Sequence, residues 1–487
     1  MDNFFERLDA ALGSLVGFLW GPPLVTLLVG GGLFFLLYSR LLPYRHLPDG
    51  VRLLFRPADS KDEGTLSHFQ ALSTALSGTL GMGNVAGVAV AISVGGPGAI
   101  FWMWVVGLMG MATSFIECTL AQVYKTAEPD GAYRGGPAHY IERGLGSNWK
   151  WLAVIYSILL LVTFGIGFIA LQSYAVATSL KDAFDIPLYY SGIGLALVVG
   201  LIIFGGVKRI AQVAEVLVPI MAGGYLLIAI VVLGLNFTEI PATLKLIVES
   251  AFGIGPVVGG GIGAAILMGV KRGLFSNEAG LGSAPNVAAV AYVPHPANQG
   301  VVQSFSVFID TIILCTCTAL IILMGTAYDP SLTDSSQGVA LTQASLATHI
   351  GEWGRVFVSI AMLLFGFSTV LYNYYLGENS VSYLTTGRSN EFVMNGFRVV
   401  VICLCCLGAI MDLGTVFGFA DLTMGLLALV NLIALALLFK TGKRVLGDYD
   451  RQLKSGNKVP TFHAEEFTDL NLDAESWPVA DNSRKQP

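Results

Sequence analysis

Long apolar runs separated by short polar stretches dominate the chain. A helix needs about 20 mostly apolar residues to cross a bilayer. Such runs recur at 14–38, 67–94, 99–124, 150–180, 189–206, 212–234, 251–293, 298–325, 353–384, 394–411 and 413–440. The pattern predicts an all-α polytopic membrane protein with about 11 transmembrane helices. Two runs break the rule. The first, within SHFQALSTALSGTLGMGNVAGVAVAISVGGPG, carries Thr79, Gly81, Met82, Gly83 and Asn84 where an ordinary span has Leu and Ile. The second, GPVVGGGIGAAILMGVKRGLFSNEAGLGSAPNVAAVAYV, holds Lys271, Arg272, Asn277 and Glu278 in an apolar setting. Glycine costs a helix interior roughly 1 kcal/mol per residue. In lipid, a mid-membrane break is tolerated only where it faces protein or lines a cavity.

Setting the first run aside leaves ten in two sets of five, each opening on an interrupted segment. Five is odd, so the second set enters from the opposite side and the repeats are inverted. Paired interrupted segments point to a transporter's binding site. The expected organisation is an extracytoplasmic N-terminus at 1–13, an additional helix at 14–38, repeats at 67–234 and 251–440, and a cytoplasmic tail at 441–487. The polar tail is expected to be disordered near its end. A short helix is expected at 339–350.

Basic residues set the orientation. The stretches 39–66, 125–150, 205–211 and 385–398, with the polar end of the chain from Lys440 on, hold 21 of the 27 Lys and Arg. Arg40, Arg45, Arg52, Arg56 and Lys61 crowd the first of them. The other side keeps Arg7, Lys181, Lys245 and Arg355. This places the N-terminus outside and the C-terminus in the cytoplasm. The start, MDNFFERLDA, is acidic, so no cleaved signal peptide is expected.

Composition narrows the function. The 487 residues are 54% hydrophobic and 12% charged, with mean hydropathy +0.68. That balance excludes a soluble enzyme and gives no basic footprint for nucleic acid. The six cysteines lie in or beside apolar segments, without zinc-binding spacing, and read as small core residues. No nucleophile–base pair or metal-ligand cluster supports an enzyme.

Gly81-Met82-Gly83-Asn84-Val85-Ala86 fits a dinucleotide-binding pattern, but no strand precedes it and no acidic partner follows. Two readings remain, glycine-mediated helix packing and a helix break. At a break the amides of Met82 and Gly83 are free for a carboxylate, aided by the half-helix dipole. Carbonyls near Ser77 and Leu80 are free for a cation. Phe365-Gly366-Phe367-Ser368-Thr369 puts two hydroxyls at mid-membrane. They either bond back to the preceding turn or, with the Phe365 carbonyl, complete an oxygen cage. Neutral oxygens suffice for a small monovalent ion. No Asp or Glu lies near these elements in the linear pattern, which favours Na+ over H+.

Ionisable residues in spans are functional candidates. Asp310 lies deep in 298–325. Lys271, Arg272, Asn277 and Glu278 form either a buried structural or gating network or a substrate contact. Glu117 snorkels or pairs near a span end, and Asp421 is a lesser proton-site candidate. Phe164, Gly165, Ile166, Gly167 and Gln172 form either a packing face or a wall of the substrate cavity.

The stretches ALSGTLGMGNVAGVA, GGPGAIFWMWVVGLMGMA, GGPAHYIERGLG and RGLFSNEAGLGSAPN resemble the alanine or glycine:cation symporters. The resemblance implies a bacterial or archaeal inner-membrane carrier of alanine or glycine, usually driven by Na+. It also implies a leucine-transporter-like fold, five plus five inverted helices with broken first and sixth core helices. It puts Na+ among the Ser77, Leu80 and Phe365 carbonyls and the Ser368 and Thr369 hydroxyls. It maps the carboxylate contact to Met82 and Gly83, a second sodium site around Asn84 and Thr79, and further contacts to Phe275, Ser276 and Asn277. The expected function is Na+-coupled import of a small neutral amino acid across the lipid bilayer. The alternatives are H+ coupling, a channel, or a non-transporting sensor. Oligomeric state stays open.

Overall fold

The computed structural model describes residues 13–54, 66–128, 131–254, 261–330, 338–385, 391–411 and 413–478. Arg7, Arg56, Lys61, Arg388, the tail end and the opening glycines of the second interrupted segment lie outside them. The described chain is almost wholly helical, with one two-stranded hairpin, Thr126–Ala127 against Tyr133–Arg134. Eight of its helices are long and apolar enough to cross a membrane, or up to nine if the bent pair at residues 68–95 is one span.

Helix α1 spans Pro22–Tyr38, with proline at its first turn, where no backbone donor is lost. Helix α2, His68–Thr79, starts on a capping box in which Ser67 and Gln70 satisfy each other's amides. It ends at Leu80, and the chain restarts as a π-helical turn, Gly83–Gly87, continuing into α3, Val88–Gly95. The two halves bend by 50°. Helix α4 is Gly98–Val123. Helices α5, Lys150–Val162, and α6, Ile169–Phe184, join through a π-helical turn at Thr163–Phe168. Then come α7, Leu188–Ile203, and α8, Gly206–Leu235.

The second broken segment is α9, Gly261–Asn277, and α10, Ser283–Ala288. Helices α11, Ala297–Val307, and α12, Thr316–Met324, flank a π-helical turn at Phe308–Cys315. The bundle closes with α13, Trp353–Leu384, α14, Glu391–Gly408, and α15, Leu413–Lys454. After α1, the order is thus a broken segment followed by α4 to α8, then a second broken segment followed by α11 to α15.

The connections are more structured than their polarity suggested. A helix at Pro137–Leu145 and another at Ile240–Ala251 occupy stretches expected as loops, and Gly338–Ile350 forms the expected short helix. Helix α15 runs on past Lys440 to Lys454. Beyond it Phe462, Phe467 and Trp477 stack into a buried aromatic cluster.

Helices α1 and α8 are mostly exposed along their length, whereas α4, α11 and α13 are mostly buried. The buried helices pack around both breaks, so the polar interruptions sit at the centre.

Candidate substrate and ion site

Unwinding frees backbone groups that lipid cannot satisfy, and here side chains take them up. At the first break the Gly81 amide donates to Asn84 Oδ1 at 3.1 Å and the Met82 amide to Gln172 Oε1 at 3.3 Å. The Ser77 carbonyl accepts from Ser368 Oγ at 3.2 Å and Thr369 Oγ1 at 3.0 Å, and Thr369 Oγ1 lies 3.4 Å from the Leu80 carbonyl. Ser368 Oγ also bonds back to the Phe365 carbonyl at 2.9 Å. Ser368 bonds within its helix and across it, while the bonds Thr369 makes are to α2 and its end. Five neutral oxygens from Ser77, Leu80, Phe365, Ser368 and Thr369 converge, a donor set that fits a small monovalent cation.

The two breaks touch. A Cβ on Gly83 would lie 2.9 Å from Ser276 Cα, and one on Gly81 would lie 2.7 Å from Thr369 Oγ1. Only glycine permits both approaches.

Asp310 joins them. Its carboxylate accepts from Asn84 Nδ2 at 2.7 Å, Ser276 Oγ at 2.7 Å and Thr311 Oγ1 at 2.8 Å. Cys315 Sγ lies 3.1 Å from Ser276 Oγ. The linear pattern shows no carboxylate near the first break, but the fold brings one there. Asp310 is far along the chain yet in direct contact with Asn84. Asn277 instead donates to Thr311 Oγ1 at 3.1 Å and accepts from the Ala279 amide at 3.0 Å.

The second break is fixed at Glu278–Gly282. Glu278 itself has φ +57°, a left-handed conformation unusual for a residue with a side chain. Its carboxylate accepts from Ser283 Oγ at 2.5 Å and Tyr372 OH at 3.3 Å. Glu117 accepts the Gly280 amide at 3.1 Å and Asn431 Nδ2 at 2.9 Å. Tyr140 donates to Asn431, and Tyr156 OH to the Leu281 carbonyl at 3.1 Å. Glu117 is fully buried, so it pairs rather than snorkels.

Lys271 and Arg272 do not join Glu278 in one network. They meet Asp421 Oδ2 at 2.6 and 2.8 Å, and Trp20 Nε1 of the N-terminal segment donates to the Asp421 carbonyl at 2.9 Å. Two cations thus hold one carboxylate oxygen of Asp421.

Rings enclose the centre. Phe275 lies 5.3 Å from Phe168 and 6.1 Å from Phe417, and Phe164 lies 4.7 Å from Phe168. Gly165 does not belong to this wall, because its Cβ position points at Leu161 and Phe397. It packs against α14. Thr79, Met82, Asn84, Phe164, Gln172, Phe275, Ser276, Asn277, Ser368 and Thr369 are all buried, so the centre is closed to solvent. Within it Thr79 Oγ1 has no hydrogen-bond partner among the described residues. Sequence reasoning missed Tyr372 and Ser283. Tyr372 falls one turn after Thr369 on the same helix face, a signal that was available.

Residues 5–464 match the family described as the Sodium:alanine symporter family. The chain belongs to that family. It is 43% identical over 476 residues to a probable sodium/glutamine symporter of Bacillus subtilis (strain 168), covering 98% of this chain and 97% of that protein. It is 38% identical over 418 residues to a sodium/proton-dependent alanine carrier protein of Bacillus sp. (strain PS3), covering 83% and 92% respectively. A manganese transporter of Eremococcus coleocola overlays with TM-score 0.48 at 14% identity over 80% of this chain and 83% of that one. The symporter is a multi-pass membrane transporter, and its family performs cation-coupled amino-acid transport.

Proposed function

We propose that the symporter imports a small neutral amino acid, alanine or glycine, coupled to Na+ by alternating access across a bacterial or archaeal inner membrane. The observation that carries this reading is the five-oxygen convergence tying α13 to the end of α2. The two hydroxyls point their hydrogens at carbonyls. Na+ among the same atoms takes the carbonyl and hydroxyl lone pairs and turns those hydrogens outward. Ion binding thus stiffens the first break, one residue from the amides that face substrate.

In this reading the substrate carboxylate docks at the Met82 and Gly83 amides, displacing the Gln172 amide oxygen, with Thr79 Oγ1 adding a hydroxyl. The ammonium faces Asp310, beside Asn84, Ser276 and Asn277. Phe164 and Phe275, joined through Phe168, wall the site with rings and exclude large side chains. Residues 67–234 and 251–440 act as the inverted repeats, with the N-terminus outside and the C-terminus cytoplasmic.

Proton coupling is the second reading, favoured by Asp310. It is buried and held by three hydrogen-bond donors, and among the described residues no cation pairs with it. Binding distinguishes the two. Radiolabelled alanine bound to detergent-purified protein is measured in Na+, K+ and across pH. Binding that requires Na+ and is competed by glycine but not by leucine supports the proposal. Binding indifferent to Na+ but set by pH overturns it in favour of the second reading.

A further inference from the structure

A cavity of about 440 Å³ lies where the end of α1 meets the polar extension of α15. Its floor is apolar, built from Leu42, Ile116, Phe439 and Leu446, and its rim carries Arg40 and Lys443. The rim has one carboxylate, Asp450, and it is already engaged by Arg45 at 3.1 Å and Lys454 at 2.6 Å. Arg451, also on the rim, pairs with Asp448 and Glu466. Among the described residues Arg40 and Lys443 have no carboxylate partner. Lys443 rests over the Tyr38 ring at 4.2 Å, and Tyr38 in turn packs on Phe439 at 4.1 Å.

Rings and free cations meet here at the edge of the apolar run, since Phe439 is followed by Lys440 and Tyr38 by Ser39 and Arg40. Below that edge Phe34, Leu37 and Leu437 are exposed on the same two helices. The site therefore offers unneutralised positive charge at headgroup depth above an apolar seam. Basic pockets between transmembrane helices suit anionic headgroups, and interfacial aromatics mark that depth. A soluble anion would satisfy the cations but leave the floor and seam uncovered. A zwitterionic lipid would cover the seam but add no net charge. The geometry points to a bound anionic phospholipid, its phosphate between Arg40 and Lys443 and an acyl chain along the α1–α15 seam. It pins the additional N-terminal helix to the last helix of the bundle.

The test uses the full-length protein in detergent, offered equal amounts of dioleoylphosphatidylglycerol and dioleoylphosphatidylcholine, with retained lipid counted by native mass spectrometry. Each basic residue near an anionic headgroup is worth roughly fivefold in binding, so the pair gives a preference of roughly thirtyfold for the glycerol lipid. The double variant Arg40→Gln with Lys443→Gln should bring retention close to parity. Arg40→Lys with Lys443→Arg should keep the preference. If the double glutamine variant does not elute as a single monodisperse peak, each single substitution carries the test with a loss of roughly fivefold. Equal retention of the two lipids by the unaltered protein, or an unchanged preference in the glutamine variants, overturns the inference. Displacement of the glycerol lipid by millimolar inorganic phosphate reassigns the cations to a free anion and also overturns it. Persistence against phosphate supports it.

Discussion

Thr369→Ala removes one of the five oxygens proposed to hold Na+ and leaves the helix backbone intact. The hydroxyl reaches the Ser77 carbonyl at 3.0 Å and the Leu80 carbonyl at 3.4 Å. Its bonds cross between helices, so deleting it opens the contact between α13 and α2. An interaction between a hydroxyl and a charged partner is worth about 1.5–3 kcal/mol, or roughly a 10- to 150-fold change in an equilibrium constant. The Na+ concentration for half-maximal alanine uptake should rise by that factor, while the maximal rate at saturating Na+ falls less. Thr369→Ser keeps the oxygen and should stay within about threefold of the starting protein, a shift worth less than 1 kcal/mol. The assay is initial-rate uptake of radiolabelled alanine into proteoliposomes over a Na+ series, with protein content normalised by blot. An Ala variant with unchanged Na+ dependence and a lowered melting temperature would refute the ion-site reasoning and leave Thr369 as a packing contact.

Other outcomes follow from the same geometry. Asp310→Asn removes the charge that faces the substrate ammonium and should abolish uptake while the protein still elutes as a folded species; uptake near the unaltered rate excludes that role. Gly83→Ala places a methyl 2.9 Å from Ser276 Cα, an overpacking worth about 1–3 kcal/mol, and should block uptake, which direct transport assays will show. Glu117→Ala leaves the Gly280 amide buried without an acceptor, costing about 1–3 kcal/mol in thermal unfolding. Glu117→Gln keeps an acceptor and should recover most of that loss. Asp421→Asn breaks a buried pair held by Lys271 and Arg272 and should lower stability by about 3–5 kcal/mol; a melting temperature within a degree of the unaltered protein contradicts it.

Both breaks were legible in the sequence because glycine and polar residues stand out in apolar runs. The first is set by Thr79 to Asn84, and the proposed ion site rests on the spacing of Phe365, Ser368 and Thr369 together with the family resemblance. Partners across the fold were not legible. Asn84 and Asp310 are 226 positions apart, and Tyr372 and Glu278 are 94 apart. Hydropathy does not encode which buried polar groups meet. Charge alone could not decide whether Lys271 and Arg272 pair with Glu278, their near neighbour, or with Asp421 on the last helix. The left-handed turn at Glu278 carries its carboxylate to Ser283 and Tyr372, which leaves both cations to Asp421. For Gly165 the sequence leaves packing and cavity wall open, because small residues serve both equally well; its direction on the helix, toward Phe397, decides for packing. The extension of α15 past Lys440 was hidden because an amphipathic, charged helix outside the bilayer lacks the apolar run that marked the spans.

The central claim is that a Na+ gradient drives amino-acid accumulation through this chain. Its most direct test is radiolabelled alanine uptake into proteoliposomes under an inward Na+ gradient, a matched K+ gradient and an inward H+ gradient. The account predicts accumulation above equilibrium with Na+ and none with K+ or H+ alone. Accumulation driven by H+ without Na+ would contradict it and move coupling to Asp310. Alanine binding without accumulation under any gradient would contradict transport itself.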